Sequence, residues 1–458
     1  MNEINPYMPF SVNNVDEAVI KVMENLLRHG NKVDPAKISN NNNSTIELEN
    51  FQFELTNPLD RIAINPENPL NIIGSIGRFV WLMAGNDRLE DIAFYNEFVR
   101  KYTDDGQTVP GSDYGKRIFN PLPGIDQVHN VIELLKKDPT SRRTIIPIWN
   151  PQDSTRLESK DIPCAFGISF LIRNNELHMT LIMRSNYGIR LLPVNIFEFS
   201  LIGEIVAREL GIEFGKYIHY SISMHICEQD VPKVEKWLKY PSELIQSATR
   251  LVMPEMPSTK SPLKQAKLLA KLESSLRNQT VLLDAFHVYE HLAKAEKELE
   301  PYWFEFFKVL CIGALLHANE VSEAINLSKK LEQYFRIPVM SYLNKKQQNI
   351  PDSSSSGTLD PFLFESKKSK FLKIQKAVAP DTEEITNIVD VLQHHVEAYE
   401  HAHKRKLTGE EYRKLEKKQL KKFVVAARSA GDDKNAEDLR KISQKEIWDE
   451  IKVILSEK

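Results

Sequence analysis

The sequence of 458 residues predicts a mixed α/β fold of the α+β type, in which helices pack on a mixed sheet, followed by an all-α C-terminal region. Up to about residue 255, segments with apolar residues at helical spacing alternate with strand-like segments. After the proline-rich "MPEMPSTKSP", nearly every segment has helical spacing. Because the chain is too long for one hydrophobic core, we expect a domain over 1–257, a helical domain over 262–348, a linker over 349–364 and a helical region over 365–458.

Composition indicates which kinds of binding partner and which cellular compartment to expect. The formal net charge is −3, so no overall field favours nucleic acid or an anionic membrane as a partner. Cys164, Cys227 and Cys311 show no C-x-x-C spacing, which fits a reducing compartment and predicts no metal site. There is no signal-peptide pattern and no run of about 18 apolar residues, so we expect a cytoplasmic protein without membrane spans.

The spacing of apolar residues predicts the first elements. Residues 15–29 carry a one-sided apolar stripe, which predicts an opening helix. After a polar asparagine run, alternation over residues 46–55 predicts a pair of strands. The segment "IIGSIGRFVWLMAG" predicts a helix ending near Gly85, and "QVHNVIELLKKDPTSRR" predicts an amphipathic helix that stops at Pro139.

From residue 144 to residue 225 the pattern is mainly that of strands. Two alternating segments flank Asn174 and Asn175, which predicts a hairpin with a tight turn and one buried face. The residues expected on that face are Phe166, Ile168, Phe170, Ile172, Leu177, Met179, Leu181 and Met183. A helix at about 196–210 follows, and "KYIHYSISMHI" predicts a further strand.

The C-terminal part has a different character. Helical spacing extends over 263–335 and over 365–458, and "PDSSSSGTLDP" between them predicts an exposed linker. Two serine or threonine residues open capping boxes in the second stretch, in the pairs Thr408 with Glu411 and Ser443 with Glu446. An added all-α part of this kind suits contacts with a protein partner.

Four strings occur in a fixed order: "SRRTIIPIWNPQD" from residue 141, "DIPCAFGISF" from 161, "LIMRSNYGIRLLPVNIFEFSLIGEIVARELGIEFGKYIH" from 181 and "SMHICEQD" from 223. With the earlier "FVWLMAGN" and "DYGKRIF", they resemble the thymidylate synthases over roughly residues 15–240. The resemblance implies that family's fold for 1–257, a homodimer paired through the sheet, and a site for a pyrimidine nucleoside 5′-monophosphate. It does not extend to the helical C-terminal part.

The resemblance gives Cys164 the role of a nucleophile. A thiolate there would add to carbon 6 of the pyrimidine and make carbon 5 able to attack a one-carbon unit. Arg184 would supply positive charge to the thiol and, with Ser185, hold the 5′-phosphate. Arg142 and Arg143 would reach the phosphate of the neighbouring subunit, because bidentate guanidinium contacts suit that dianion.

Two further positions would hold the base and the sugar. Asn195 matches the asparagine that reads the pyrimidine edge, because an amide offers both a donor and an acceptor. His225 matches one of two groups that hold a sugar hydroxyl. Considered alone, Cys164 could be a buried packing residue and His225 a core histidine.

Several family positions carry a different residue in this chain. Arg78 stands where the family has the glutamate that organises proton transfer, and an arginine cannot act as a general base. Ala165 replaces a histidine, and Cys227 replaces a tyrosine near the sugar. Tyr187 and Leu191 replace an aspartate and a glycine that border the folate.

Positions that hold the nucleotide are thus retained, whereas positions on the folate side are altered. We therefore expect a protein that binds a dUMP-like nucleotide without a cofactor, either as a non-standard enzyme or as a pseudoenzyme that senses the nucleotide for the helical part. The alternative is an active C5 methyl- or hydroxymethyl-transferase that uses Cys164 and methylenetetrahydrofolate. A third reading is a cavity for another anionic ligand beside Arg78.

Some choices stay open at the level of sequence. Arg78 could line the cavity or could be a surface group paired with Asp87 or Asp91. The base could be uracil or cytosine, because the Asn195 amide can be turned to suit either edge. The sugar could be ribose or deoxyribose.

Overall fold

The computed structural model describes residues 10–34, 43–64, 69–239, 251–278 and 283–348, with side chains up to residue 343. The strands are β1 (Phe10–Val12), β2 (Asn31–Val33), β3 (Thr45–Leu55), β4 (Ile145–Pro147), β5 (Ala165–Arg173), β6 (Glu176–Met183), β7 (Asn186–Tyr187) and β8 (Glu213–Cys227). The α-helices are α1 (Val15–His29), α2 (Ile72–Ala84), α3 (Leu89–Ala93), α4 (Tyr114–Phe119), α5 (Gln127–Lys137), α6 (Leu191–Glu209), α7 (Val231–Trp237), α8 (Pro262–Arg277), α9 (Ala285–Glu298), α10 (Pro301–His317), α11 (Val321–Ser328) and α12 (Gln333–Gln348).

The strands join one mixed sheet. Along its main path the order is β1, β3, β8, β6, β5 and β4, with β2 paired to β3 and β7 paired to β8. Strand β8 runs antiparallel to β3 and parallel to β6, whereas β5 runs antiparallel to both of its neighbours. Helices α1 and α6 pack on this sheet, so the predicted mixed α/β class is confirmed.

The segment 45–55 forms one long strand, so the predicted pair of strands is wrong. Strand β3 pairs along its whole length with β8. The buried positions change parity within it, from Leu48 to Phe51 and Phe53, because Asn50 adopts a left-handed conformation with φ of 52°. Asparagine tolerates this conformation better than most residues, so the strand continues through the irregularity.

The predicted hairpin is confirmed in β5 and β6, and its turn residues Asn174 and Asn175 both have positive φ. One assignment to its buried face is wrong. Phe166 is 48% exposed, because a bulge between Ala165 and Gly167 turns it to the opposite face. A β-bulge adds one residue to one strand and so reverses the alternation locally.

Two predicted helix ends are confirmed. Helix α2 ends at Gly85, which has φ of 64° and serves as a left-handed C-cap. Helix α5 ends at Lys137, and Asp138 is its C-cap before Pro139. Helix α6 begins at residue 191, five residues before the predicted start, and most of its surface is buried.

Helices α8 to α12 confirm the all-α character of residues 262–348. Helices α8, α10 and α12 contact α2, and α8 also contacts α6. Phe79 of α2 lies 6.3 Å from the ring of Trp303 of α10, and one hydrophobic cluster runs from the sheet into these helices. The predicted linker, the helical region 365–458 and its capping boxes lie outside the described residues.

Candidate active site

Cys164 lies just before β5, and its backbone is joined to the end of β6. The carbonyl of Cys164 accepts a hydrogen bond from the backbone N–H of Arg184 at 2.8 Å. The Arg184 guanidinium then binds the preceding segment: Nε donates to the carbonyl of Pro163 at 2.7 Å and Nη2 to that of Ile162 at 3.1 Å. The hairpin therefore places this arginine beside the cysteine.

Opposing influences act on the Cys164 thiol. The residue is partly exposed, but enclosure by protein is the largest influence and raises the pKa of the thiol. The guanidinium groups of Arg184 and Arg78 oppose this rise by favouring the thiolate, whereas the Asp161 carboxylate adds to it. Cys164 thus lies within electrostatic reach of two cations.

Tyr114, the first residue of α4, connects Arg78 to the cysteine segment. Its hydroxyl accepts a hydrogen bond from the backbone N–H of Ala165 at 3.2 Å. The Arg78 guanidinium carbon lies 5.4 Å from the centre of the Tyr114 ring. Helix α4 can approach α2 this closely because it has Gly115, where a Cβ atom would lie 1.9 Å from the carbonyl oxygen of Leu82.

Arg78 faces inwards and binds a carboxylate of α6. Its Nε donates to Oε2 of Glu198 at 2.6 Å, and the side chains are 20% and 1% exposed, respectively. The alternative that Arg78 forms a surface pair with Asp87 or Asp91 is wrong. Asp87 instead binds Lys116 and Asp91 binds Arg277, each at 2.5 Å. Burial disfavours the Arg78 cation, but Glu198 and Tyr114 outweigh it and raise the pKa of Arg78.

Asn195 lies one turn before Glu198 on the same face of α6. The residue is 4% exposed, and its amide makes no hydrogen bond to the described residues. Buried amides normally have partners, so the Asn195 side chain is available to a ligand or to water.

His225 lies on β8 opposite Tyr187 of β7. The two rings stack with centroids 5.9 Å apart, and burial lowers the pKa of His225. The Tyr187 hydroxyl donates to Asp230, and the backbone N–H of Gly188 donates to the carbonyl of His225 at 2.8 Å. Tyr187 therefore packs on His225, and its hydroxyl is engaged by Asp230.

The remaining predicted residues have simpler surroundings. Arg142 and Arg143 are exposed before β4, and neither forms an ion pair with the described residues. Ser185 is partly buried beside Arg184, and Ala165 is fully buried. Leu191 is 42% exposed at the first position of α6.

Sequence reasoning missed three residues of this site. Tyr114 lies within the quoted string "DYGKRIF" but received no role. Glu198 had a detectable signal, since a carboxylate inside the apolar run "NIFEFSLIGEI" needs a buried partner. Asp161 accepts hydrogen bonds from the backbone of Gly111 and Ser112 at 2.7 and 2.9 Å, a long-range contact with no local signature.

The class of protein to which this mixed sheet and cysteine–arginine junction belong follows from comparing the sequence with known protein families. The family model described as thymidylate synthase matches residues 19–261, which is more than half of the chain. The chain therefore belongs to the thymidylate synthase family.

Individual relatives include two phage enzymes and a bacterial one. The deoxyuridylate hydroxymethyltransferase of Bacillus phage SP01 is 30% identical over 200 residues, covering 40% of this chain and 51% of the relative. The enzyme of the same name from Pseudomonas phage M6 is 30% identical over 184 residues, covering 39% and 50%. The thymidylate synthase of Listeria monocytogenes serotype 4a is 31% identical over 175 residues, covering 37% and 51%. The chain thus spans about half the length of these relatives.

Among the described helices, none is long and apolar enough to cross a bilayer.

Proposed function

We propose that the N-terminal domain binds a pyrimidine nucleoside 5′-monophosphate in the cavity bordered by Cys164, Arg184 and Asn195. The observation that carries the proposal is the junction in which the Arg184 backbone and guanidinium bind residues 162–164. A phosphate on the exposed side of that guanidinium would find a preoriented cation. The unpaired Asn195 amide would offer a donor and an acceptor to the base.

The residues at the family's folate-side positions support nucleotide binding without the family's folate-dependent transfer. The Arg78–Glu198 pair stands where a lone glutamate would organise proton transfer, and its carboxylate is already engaged by the guanidinium. Tyr187 likewise packs on His225 and donates to Asp230. We therefore favour a nucleotide sensor or a non-standard enzyme whose occupancy is passed to the helical part, and through it to a protein partner.

A second candidate is a C5 methyl- or hydroxymethyl-transferase that uses Cys164 as the nucleophile. The guanidinium groups of Arg184 and Arg78 favour it, because they oppose the rise that enclosure causes in the pKa of the Cys164 thiol and so stabilise the thiolate. The names of the phage and bacterial relatives point the same way. In this case methylenetetrahydrofolate would be the one-carbon donor.

We also propose that two copies pair through the open face of the sheet. Phe166, Ile145 and Ile222 are 48%, 59% and 44% exposed there, and Ile182 with Tyr220 adds half-buried apolar surface between them. An apolar face of this kind is typical of a homodimer interface. Pairing would bring Arg142 and Arg143 of one copy towards the proposed phosphate site of the other. Light scattering after size-exclusion chromatography tests the pairing, because a homodimer has twice the mass of one chain.

The test of function is native mass spectrometry of the full chain with 5-fluoro-deoxyuridine monophosphate, with and without methylenetetrahydrofolate. Reversible binding that is lost in Arg184→Ala and kept in Cys164→Ser supports the sensor. A covalent adduct that needs both the folate and Cys164 instead establishes the transferase. The absence of any nucleotide complex overturns both candidates.

A further inference from the structure

The Arg78–Glu198 pair exposes only one of its two charged groups. The Glu198 side chain is 1% exposed, whereas that of Arg78 is 20% exposed. Arg78 also acts on the Cys164 thiol and lies over the Tyr114 ring at 5.4 Å. A ligand in the proposed site would therefore meet the guanidinium, because the carboxylate is buried.

Glu198 changes what this guanidinium can bind. The carboxylate neutralises the charge of Arg78 and occupies its Nε, so the pair adds no net positive charge to the cavity. This argues against a second anionic ligand beside Arg78. The remaining N–H groups are still donors, and a guanidinium has no acceptor atom.

The location of Arg78 relates it to one edge of the base. Glu198 follows Asn195 by one turn of α6, so the two side chains share one face of the helix, and Glu198 binds the Arg78 guanidinium on that face. Two ring substituents flank N3 on the Watson–Crick edge of a pyrimidine, and only the one on carbon 4 differs between uracil and cytosine. Uracil has a carbonyl oxygen there, which accepts hydrogen bonds, and cytosine has an amino group, which donates them.

We propose that Arg78, oriented by Glu198 and Tyr114, is a specificity-determining residue that reads position 4 of the base and selects a 4-oxo pyrimidine over a 4-amino pyrimidine. The inference rests on the proposed nucleotide site. The Asn195 amide can turn to suit either base, but a guanidinium cannot exchange donor for acceptor. Arg78 therefore decides a choice that the asparagine leaves open.

The experiment measures the dissociation constants of dUMP and dCMP by calorimetry with the full chain and two site variants. Arg78→Gln removes the fixed donor, because its amide can present either a donor or an acceptor. The double exchange Arg78→Glu with Glu198→Arg keeps an ion pair between α2 and α6 but presents a carboxylate to the base. Glu204→Gln is the matched control, since Glu204 lies on α6 in a fully buried pair with Arg61 at 2.5 Å.

We expect the wild-type protein to prefer dUMP by about 10- to 100-fold, the usual range for a charge-assisted hydrogen bond. Arg78→Gln should reduce the preference to a few-fold, the double exchange should reverse it, and Glu204→Gln should keep it. Circular dichroism establishes that each variant is folded, and if Arg78→Gln is not, the double exchange decides.

Equal affinity of the wild-type protein for both nucleotides overturns the inference while leaving the nucleotide site intact. The same holds if the folded Arg78→Gln variant or the double exchange retains the full preference for dUMP. If the wild-type protein binds neither nucleotide, the proposed function itself fails and the inference falls with it.

Discussion

At the scale of single residues, the structure fixes where Cys164 lies but does not by itself make its thiol reactive. Its backbone is fixed by Arg184, and the guanidinium groups of Arg184 and Arg78 favour its thiolate, but enclosure by protein still raises the pKa of the thiol. A thiolate is the reactive form, so the free protein holds this cysteine mainly as a thiol at neutral pH. A ligand that brought further positive charge or excluded Asp161 would change that balance.

Alkylation of Cys164 by iodoacetamide tests this balance. Its rate should rise with pH and reach half its maximum above the ordinary value of about 9, because each unit of raised pKa lowers the thiolate fraction about tenfold. Mass spectrometry of the intact chain follows the label. Cys164→Ser is the control and should remain unlabelled in the native state, since Cys227 and Cys311 are buried. Fast labelling of Cys164 near neutral pH would contradict the expectation.

At the scale of an element, β8 carries a buried titratable group at the centre of the sheet. His219 is fully buried, stacks on Phe53 with centroids 5.2 Å apart, and shares a hydrogen bond of 2.9 Å between its Nδ1 and the Tyr217 hydroxyl. Its Nε2 is enclosed without a partner. Burial lowers the pKa of His219 to about 3.

This depressed pKa predicts a pH dependence of stability. Between 6.5 and about 3 the unfolded chain binds a proton at His219 that the folded chain does not. The free energy of unfolding should therefore fall as the pH falls through this window, by up to about 1.4 kcal/mol per pH unit from this group. The free energy of unfolding, measured by urea titration at a series of pH values, should change less steeply with pH in His219→Phe than in the wild-type protein. The difference in slope corresponds to one proton.

The control for that measurement is His129→Phe, which removes an exposed imidazole from α5. An unchanged slope in His219→Phe would mean that other groups cause the acid sensitivity of the fold.

At the scale of the whole molecule, α2 connects the proposed nucleotide site with the helical part. Arg78 binds Glu198 of α6, and the next residue, Phe79, lies against Trp303 of α10. Tyr95 and Glu273 add a buried hydrogen bond of 3.0 Å between the two parts. A rearrangement of α2 on ligand binding would therefore change contacts with the helices behind it, which is the route that a sensor needs.

The shared core predicts that the described parts unfold together. Trp303→Ala should lower the free energy of unfolding by about 3–5 kcal/mol, because it leaves a large cavity between α2 and α10. The thermal transition should remain single when followed by far-ultraviolet circular dichroism and by tryptophan fluorescence. Trp303→Phe, which keeps an aromatic ring, serves as the milder control. Two separate transitions in the wild-type protein would show that the helical part is an independent unit.

Local patterns in the sequence determined the elements. The stripe over 15–29, the asparagine pair at 174 and 175 and the stop before Pro139 each predict their structure, because helix and turn formation depend on neighbouring residues. The ordered strings also brought Cys164 and Arg184 together in the prediction. The family and the mixed sheet could therefore be predicted from the sequence alone.

Tertiary structure alone decided which long-range partners these elements acquired. Glu198 binds Arg78 across 120 positions of sequence, and no local pattern distinguishes that partner from Asp87 or Asp91. A bulge turned Phe166 outwards, and the packing of α10 made α2 a central helix. The physical reason is that periodicity fixes which face of an element is apolar, whereas the choice of partner depends on how whole faces pack against each other in space.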